Sequence, residues 1–199
     1  IEIGPGKGAL TVKILETGAT VIAIEKDREL IPYLNDKFKT YIDNKKLILI
    51  EDDILEWDIE SELRKLKIKN YKLIANIPYY ITGAIIRKFL ETKTQPSLMV
   101  LLVQKEVAIR TIAEDKKESL LSLSIKVYGE PKLVSFVPRG AFHPVPNVDS
   151  AVLLINNISR KNLSTTKHEE NFFKLIHLGF AHKRKTLWHN FKELVNREE

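Results

Sequence analysis

Residues 2–8, EIGPGKG, carry three glycines at alternate positions directly after a short apolar stretch. Because glycine has no Cβ, the backbone can turn tightly here and come close to a bound molecule. The turn lacks the Lys-Ser/Thr pair of a phosphate-binding loop, and its G-x-G-x-G spacing is not the G-x-G-x-x-G of dinucleotide-binding folds. Taken alone, the motif is also compatible with a structural turn that binds no ligand.

Two carboxylates at the ends of later apolar stretches favour a ligand site. Glu25 ends the second predicted strand, where a carboxylate can accept hydrogen bonds from both hydroxyls of a ribose. Asp53 follows the third predicted strand, where it can accept a hydrogen bond from an adenine amino group while Ile54 packs on the base. Either acid alone is more typical of a strand end or a helix cap. Together with the glycine turn they predict an adenosine site whose ligand need not carry phosphates, which fits S-adenosylmethionine better than NAD or ATP.

The stretch NIPYY, residues 76–80, ends the fourth predicted strand and suits chemistry on an adenine amino group. That nitrogen is a poor nucleophile because its lone pair is delocalised into the ring. Hydrogen bonds from this amino group to Oδ1 of Asn76 and to the main-chain carbonyl of Ile77 would rotate and pyramidalise the nitrogen. Pro78 stiffens the turn, and Tyr79 can stack on the base and hold it for attack on a methyl group. No general base is required, since the methylated nitrogen becomes acidic. A simple turn before a proline is the alternative for this motif alone.

Taken together, seven stretches of the sequence occur in an order that resembles one family over nearly the whole chain. They are EIGPGKGALT, IEKDREL, EDDIL, NIPYYIT, VQKEVAIR, VPRGAFHPVPNVDSAV and FAHKRKTLWHN. The resemblance is to the ribosomal RNA adenine N6-dimethyltransferases of the small-subunit (KsgA-type) branch. It implies a class I methyltransferase fold and S-adenosylmethionine as donor. It also implies dimethylation of two adjacent adenines in a hairpin near the 3′ end of small-subunit (16S) rRNA, within an immature 30S particle.

The motifs and the resemblance assign three groups of residues. The predicted cofactor-binding residues are Glu2, Gly4, Gly6, Glu25, Lys26, Asp53, Ile54 and Asn76. The predicted catalytic and target-base residues are Asn76, Ile77, Pro78, Tyr79 and Phe142. The predicted RNA-binding residues are Lys105, Arg110, Lys183, Arg184 and Lys185. Phe142 would be an ordinary buried aromatic residue on pattern alone, but the resemblance implies that it closes over a flipped base opposite the tyrosine. No metal site is predicted.

The chain departs from the family's pattern at three places. The sequence begins at Ile1, inside a predicted strand, so we expect a preceding segment to be missing. In the family this segment contains a Gln-Asn/His-Phe-Leu motif, which covers the methionine end of the cofactor. We expect the absence of this motif to weaken cofactor binding. Tyr80 stands where Asn or His is commoner, and we expect it to be tolerated. The helical tail is shorter than is usual in the family.

The elements that must carry these residues alternate between strands and helices. This alternation predicts an α/β, Rossmann-like fold with a seven-stranded, mostly parallel sheet. The last two predicted strands are joined without a helix, which indicates one antiparallel strand at an edge. Residues 156–170 are polar and read as a linker, and the apolar spacing beyond them predicts two helices. We therefore expect a methyltransferase domain over residues 1–157 and a linker with a helical RNA-contacting domain over residues 158–199.

Composition limits the class of protein and its partners. The 199 residues are 44% hydrophobic and 29% charged, which is typical of a soluble globular chain with a sizeable core. There is no cysteine, so disulfides and thiolate metal sites are excluded. No apolar run is long enough to cross a bilayer, and we expect a cytoplasmic monomer. The net charge of +6, with nine Lys/Arg against five Asp/Glu from residue 159 onward, favours a polyanionic partner.

Three other functions remain as alternatives. A large-subunit (23S) rRNA adenine N6-methyltransferase of the macrolide-resistance type shares the fold and the catalytic motif, but not the basic FAHKRKTL stretch. A catalytically silent RNA- or DNA-binding relative is disfavoured by the intact motif from Asn76 to Tyr79, with Glu25 and Asp53. An NAD-dependent oxidoreductase is disfavoured by the glycine spacing and by NIPY.

Overall fold

The computed structural model describes residues 1–163, 165–182 and 184–195. A single sheet contains the strands β1 (Glu2–Ile3), β2 (Val21–Glu25), β3 (Leu47–Glu51), β4 (Lys72–Asn76), β5 (Leu98–Gln104), β6 (Glu130–Val137) and β7 (Ser150–Asn156). Their order across the sheet is β3-β2-β1-β4-β5-β7-β6. Each strand lies on an apolar stretch from which the sequence predicts a strand.

The first five strands run parallel to one another, and β7 runs antiparallel to both of its neighbours, β5 and β6. The predicted seven-stranded sheet with one antiparallel strand at this edge is therefore confirmed. More finely, β7 lies one place inside the edge and β6 is outermost. The strand order reverses between β1 and β4, and in open α/β sheets ligands bind beside the carboxyl ends of the strands at such a point.

Helices flank the sheet over the first 126 residues. They are α1 (Ala9–Glu16), α2 (Leu30–Lys37), α3 (Lys39–Asp43), α4 (Ile59–Lys65), α5 (Thr82–Glu91), α6 (Lys105–Ile112) and α7 (Leu120–Lys126). The short helices α3 and α4 were not predicted, because five and seven residues carry little helical periodicity. The N-cap of α4 is Asp58, whose side chain accepts from the Ser61 N–H at 3.1 Å. In the described part of the chain, no helix combines the length and apolar character needed to cross a membrane.

The core lies on both faces of the sheet, and β2 shows why its sequence is almost entirely apolar. Ile22 and Ile24 face one hydrophobic cluster, whereas Val21 and Ala23 face the other. All four side chains are at most 4% exposed. A strand covered on both faces reads as a continuous apolar run instead of an alternating one.

Two further helices follow the sheet, as predicted: α8 (Thr166–Phe180) and α9 (Leu187–Val195). The predicted linker over residues 156–170 is wrong at both ends, because Asn156 belongs to β7 and residues 166–170 belong to α8. A polar cluster attaches α8 to the helices on the sheet. The Glu169 carboxylate accepts hydrogen bonds from the Tyr128 hydroxyl and the Arg160 guanidinium. The same guanidinium donates to the main-chain oxygen of Glu91 at 2.6 Å. Burial, followed by the adjacent Glu169 carboxylate, raises the pKa of Tyr128, so its hydroxyl stays a donor.

Candidate functional site

The parallel register brings the predicted site residues to one edge of the sheet. The strands β1 and β4 pair in parallel, so Gly4, directly after β1, and Asn76, the last residue of β4, occupy neighbouring register positions. Glu25 ends β2, and β3 beside it ends at Glu51, just before Asp53. The glycine turn, both predicted carboxylates and the NIPYY stretch therefore share the carboxyl edge.

The glycine turn leaves room for a ligand at two of its three glycines. Gly4 and Gly6 have φ values of +62° and +56°, and a Cβ at either position would meet nothing within 4 Å. Gly8 has a φ of +75°, and a Cβ there would lie 2.4 Å from the Phe38 ring. The first two glycines thus expose main chain to open space, while the third allows α1 to pack closely on α2.

Glu25 is held rigidly beneath this turn. Its Oε2 accepts the Gly6 N–H at 3.0 Å, and its Oε1 accepts the Asp27 N–H at 2.9 Å. The side chain is 7% exposed. Since each carboxylate oxygen has more than one acceptor site, both oxygens can take a further donor from a ligand on the turn.

Glu2 brings a second buried carboxyl group to the same place. It is 1% exposed, and no group in the described residues gives its Oε2 a well-formed hydrogen bond. Burial raises the pKa of Glu2, and the nearby Thr11 hydroxyl offsets part of that rise. A buried polar atom without a partner is costly, so Glu2 is suited to receive a donor from a bound molecule.

Asp53 and Lys26, both predicted to contact the cofactor, contact each other. The Lys26 Nζ lies 2.7 Å from Asp53 Oδ2, and Asp53 Oδ1 accepts the Leu55 N–H at 2.9 Å. The hydrogen bond from Lys26, helped by the Leu55 N–H, lowers the pKa of Asp53 and keeps it ionised. Ile54 is 5% exposed and belongs to the core, which leaves little of its side chain for a base.

The NIPYY stretch presents one unused side-chain acceptor at the edge of the sheet. The Asn76 side chain is exposed and makes no hydrogen bond to the described residues. Ile77 is 2% exposed, so its buried side chain anchors the turn. Pro78 leads into a short 3-10 helix, Tyr79–Ile81. Tyr80 is 88% exposed, so its ring lies on the surface and does not enter a pocket.

Two residues that the sequence analysis did not single out contact the predicted base-binding elements. The Ser150 Oγ lies 2.7 Å from the Tyr79 hydroxyl. The Asp149 carboxylate accepts the main-chain N–H of Arg139 at 3.0 Å, at the start of the turn that leads to the half-buried Phe142. The only sequence signal for them is their place at the start of the last predicted strand.

The predicted RNA-binding residues that the structure describes all lie on the surface. Lys105 and Arg110 are exposed on α6, and the Lys105 Nζ lies 4.9 Å from the centre of the Phe136 ring. An open pocket of about 570 Å³ separates α6 from the loop before β7. Arg184 and Lys185 are exposed before α9, and Lys183 lies outside the described residues. Surface lysines and arginines of this kind suit contact with a phosphate backbone.

This sheet, with its antiparallel strand beside the edge and its glycine turn at the point of reversal, defines the class I methyltransferase fold. The family model for "Ribosomal RNA adenine dimethylase" matches residues 1–199. The chain therefore belongs to the ribosomal RNA adenine dimethylase family.

Curated relatives and solved structures agree with this assignment. "Ribosomal RNA small subunit methyltransferase A" of Dehalococcoides mccartyi (strain CBDB1) is 48% identical over 187 residues, covering 94% of this chain and 62% of that protein. The Lactococcus lactis protein of the same name is 44% identical over 203 residues, covering 100% of this chain and 67% of that protein. The chain thus spans about three fifths to two thirds of the length of these relatives.

Among solved structures, a dimethyladenosine transferase from Plasmodium falciparum superposes with a TM-score of 0.81 at 30% identity, covering 98% of this chain and 68% of that chain. The 23S rRNA methyltransferase ErmE superposes with a TM-score of 0.77 at 24% identity, covering 96% of this chain and 74% of that chain. At this lower identity, the similarity to ErmE shows a shared fold.

Proposed function

We propose that this protein transfers methyl groups from S-adenosylmethionine to N6 of two adjacent adenines in a hairpin near the 3′ end of small-subunit (16S) rRNA. The observation that carries the proposal is the Asn76 side chain, exposed and without a hydrogen bond to the described residues, at the end of β4 beside the glycine turn. Family membership and the small-subunit enzymes named among the relatives support this choice of substrate.

The residues at the carboxyl edge fit the donor. Open space above Gly4 and Gly6 admits a ligand against the main chain, and the unpartnered Oε2 of Glu2 can accept a donor from it. Glu25 would hold the ribose hydroxyls, and Asp53 with Lys26 would contact the adenine. S-adenosylmethionine supplies an electrophilic methyl carbon on a sulfonium. The carboxylates at this edge would hold that cation by charge attraction.

On the acceptor side, the chain positions and activates the target nitrogen. Oδ1 of Asn76 and the main-chain oxygen of Ile77 accept hydrogen bonds from the two N–H groups of the adenine N6. These bonds turn the lone pair of that nitrogen out of conjugation with the ring. Tyr79 and Phe142 stack on the two faces of the extruded base. The proton is lost to water after transfer, so catalysis consists of positioning and electrostatic stabilisation.

Exposed basic residues would hold the RNA. Lys105 and Arg110 on α6, with Arg184 and Lys185 before α9, would contact rRNA phosphates, as would Lys183. In the same proposal residues 1–157 form the methyltransferase domain and residues 158–199 a linker and helical RNA-contacting domain. The protein works in the cytoplasm as a monomer on an immature 30S particle.

Methyl transfer to defined particles tests the substrate. The complete protein is incubated with labelled S-adenosylmethionine and either 30S particles lacking the modification or unmodified 23S rRNA. We expect label in the 30S particles alone, as N6,N6-dimethyladenosine in nuclease digests. Label only in 23S rRNA would refute the choice of substrate, and no label in either would favour a silent binder.

Asn76→Ala tests the chemistry separately from binding. The variant should lose transfer almost completely while it keeps nearly its full RNA affinity, because the amide acts on the reacting nitrogen and not on the phosphates. Asn35→Ala, which removes an exposed amide from α2, is the matched control and should behave as the wild type. Comparable turnover by Asn76→Ala would refute the role of the amide.

A further inference from the structure

We propose that Asp149 and Ser150 are positioning residues that hold the two aromatic walls of the target-base pocket, Tyr79 and Phe142, in a fixed relation. The inference rests on the proposed function, in which these two rings enclose the extruded adenine. Neither residue touches the base. Each acts through a hydrogen bond to one of the two elements that carry the rings.

Ser150 fixes the tyrosine. It is 0% exposed, and its Oγ lies 2.7 Å from the Tyr79 hydroxyl, across 71 positions of sequence. As the first residue of β7 it pairs with Gln104 of β5 in the antiparallel register, so the sheet fixes its place. A ring hydrogen-bonded at its hydroxyl to such a point loses much of its freedom to swing.

Asp149 fixes the turn that carries the phenylalanine. Its Oδ1 accepts the Arg139 N–H at 3.0 Å, and its main-chain oxygen accepts the Lys105 N–H at 3.0 Å. The Phe142 N–H in turn donates to the main-chain oxygen of Arg139 at 3.2 Å. Two hydrogen bonds therefore connect Asp149 to the backbone of Phe142.

The adjacency of Asp149 and Ser150 couples the two walls. A base that stacks between two rings requires a set spacing and near-parallel planes. Tyr79 follows β4 and Phe142 follows β6, and these strands are separated in the sheet by β5 and β7. Two consecutive residues at the start of β7 thus link elements that have no strand pairing of their own.

A double-mutant cycle on the complete protein tests the Ser150 bond. Ser150→Ala and Tyr79→Phe each remove one hydroxyl of the same bond and should lower kcat about three- to tenfold, with the KM for S-adenosylmethionine unchanged. The double variant should be no slower than the slower single variant, because the bond is already lost. Ser122→Ala is the control: it removes another fully buried serine hydroxyl, at the start of α7, and should cost stability alone.

The outcomes separate positioning from structure. Multiplicative losses in the double variant would overturn the inference, as would a Ser150→Ala protein that loses thermal stability like Ser122→Ala but keeps its kcat. Should Ser150→Ala fail to fold, Tyr79→Phe removes the same hydrogen bond by changing a half-buried side chain instead. An equal kcat for Tyr79→Phe and the wild type would then overturn the inference.

Fluorescence of the base tests the Asp149 bond. An RNA hairpin carrying 2-aminopurine at a target position should be quenched on binding, as the base stacks between the rings. Asp149→Ala should lose about half or more of that quenching, whereas Asp149→Asn, which keeps an oxygen acceptor for the Arg139 N–H, should restore it. Equal quenching by all three proteins would overturn the inference. A wild type that quenches the probe but transfers no methyl group would refute the proposed function instead.

Discussion

Four glycines with left-handed backbone conformations offer a graded test of what the glycine turn does. Gly4, Gly6, Gly8 and Gly18 have φ values of +62°, +56°, +75° and +82°. Alanine at each position carries a similar backbone penalty, about 1–2 kcal/mol. What differs is the space that the new methyl group enters. Gly18, after α1, faces open space away from the carboxyl edge and therefore supplies the reference.

The Gly8→Ala variant should be much less stable than this reference. Its Cβ would lie 2.4 and 2.6 Å from two Phe38 ring atoms. Phe38 is 2% exposed and packed among buried neighbours, so it has little room to withdraw. Overpacking of this kind adds about 1–3 kcal/mol. The expected total loss for Gly8→Ala is about 2–5 kcal/mol, against about 1–2 kcal/mol for Gly18→Ala.

Gly4→Ala and Gly6→Ala should separate stability from binding. Their methyl groups meet no protein atom within 4 Å, so both should be about as stable as Gly18→Ala. They project into the space assigned to the cofactor, however, and should reduce its affinity by at least tenfold while Gly18→Ala leaves it unchanged.

Urea unfolding at 25 °C gives the stabilities, and titration calorimetry with S-adenosylmethionine gives the affinities. If Gly8→Ala were no less stable than Gly18→Ala, the packing argument would be refuted. If Gly4→Ala and Gly6→Ala bound the cofactor like the wild type, the assignment of the open space would be refuted.

Three further outcomes are expected. Burial raises the pKa of Glu2, so the native state holds its proton to higher pH than the unfolded state does. The free energy of unfolding should therefore fall as the pH rises from about 4 through the raised value, and urea unfolding should show a flatter profile for Glu2→Gln, which cannot titrate. Glu169→Gln weakens the pairing with Arg160 beside Tyr128 and should cost about 1–3 kcal/mol, with faster hydrogen exchange in α8 than elsewhere. Arg184→Ala with Lys185→Ala should lower the slope of log Kd for RNA against log salt by about one per lost phosphate contact; an unchanged slope would place the RNA elsewhere.

Most of the strands were predictable because they lie on apolar runs bounded by polar residues. Once the sheet was taken as parallel, its carboxyl edge had to collect Glu25 and Asn76, since both end a strand. The sequence gives no comparable signal for the pairing of Lys26 with Asp53, because exposed charges have many possible partners. It gives none for the bond from Ser150 to Tyr79 either. That contact forms only because β7 pairs with β5, and no local sequence pattern predicts which strands pair.

The distribution of charge over the two sides of the site follows from the proposed reaction. Glu2, Glu25 and Asp53 gather at the carboxyl edge, and Lys26 is ion-paired there with Asp53. An acidic edge favours a sulfonium over the uncharged thioether that remains after transfer, which promotes release of the product. The same carboxylates would repel an RNA backbone. The exposed cations lie away from these carboxylates. Lys105 follows the carboxyl end of β5, on the other side of β4, and Arg110 lies further along α6. Arg184 and Lys185 precede α9. Only a base extruded from the RNA, which is uncharged, can then approach Asn76 closely. In the proposed reaction the protein therefore has to bind a polyanion with one surface and a cation with another, and the neutral Asn76 amide lies between the two.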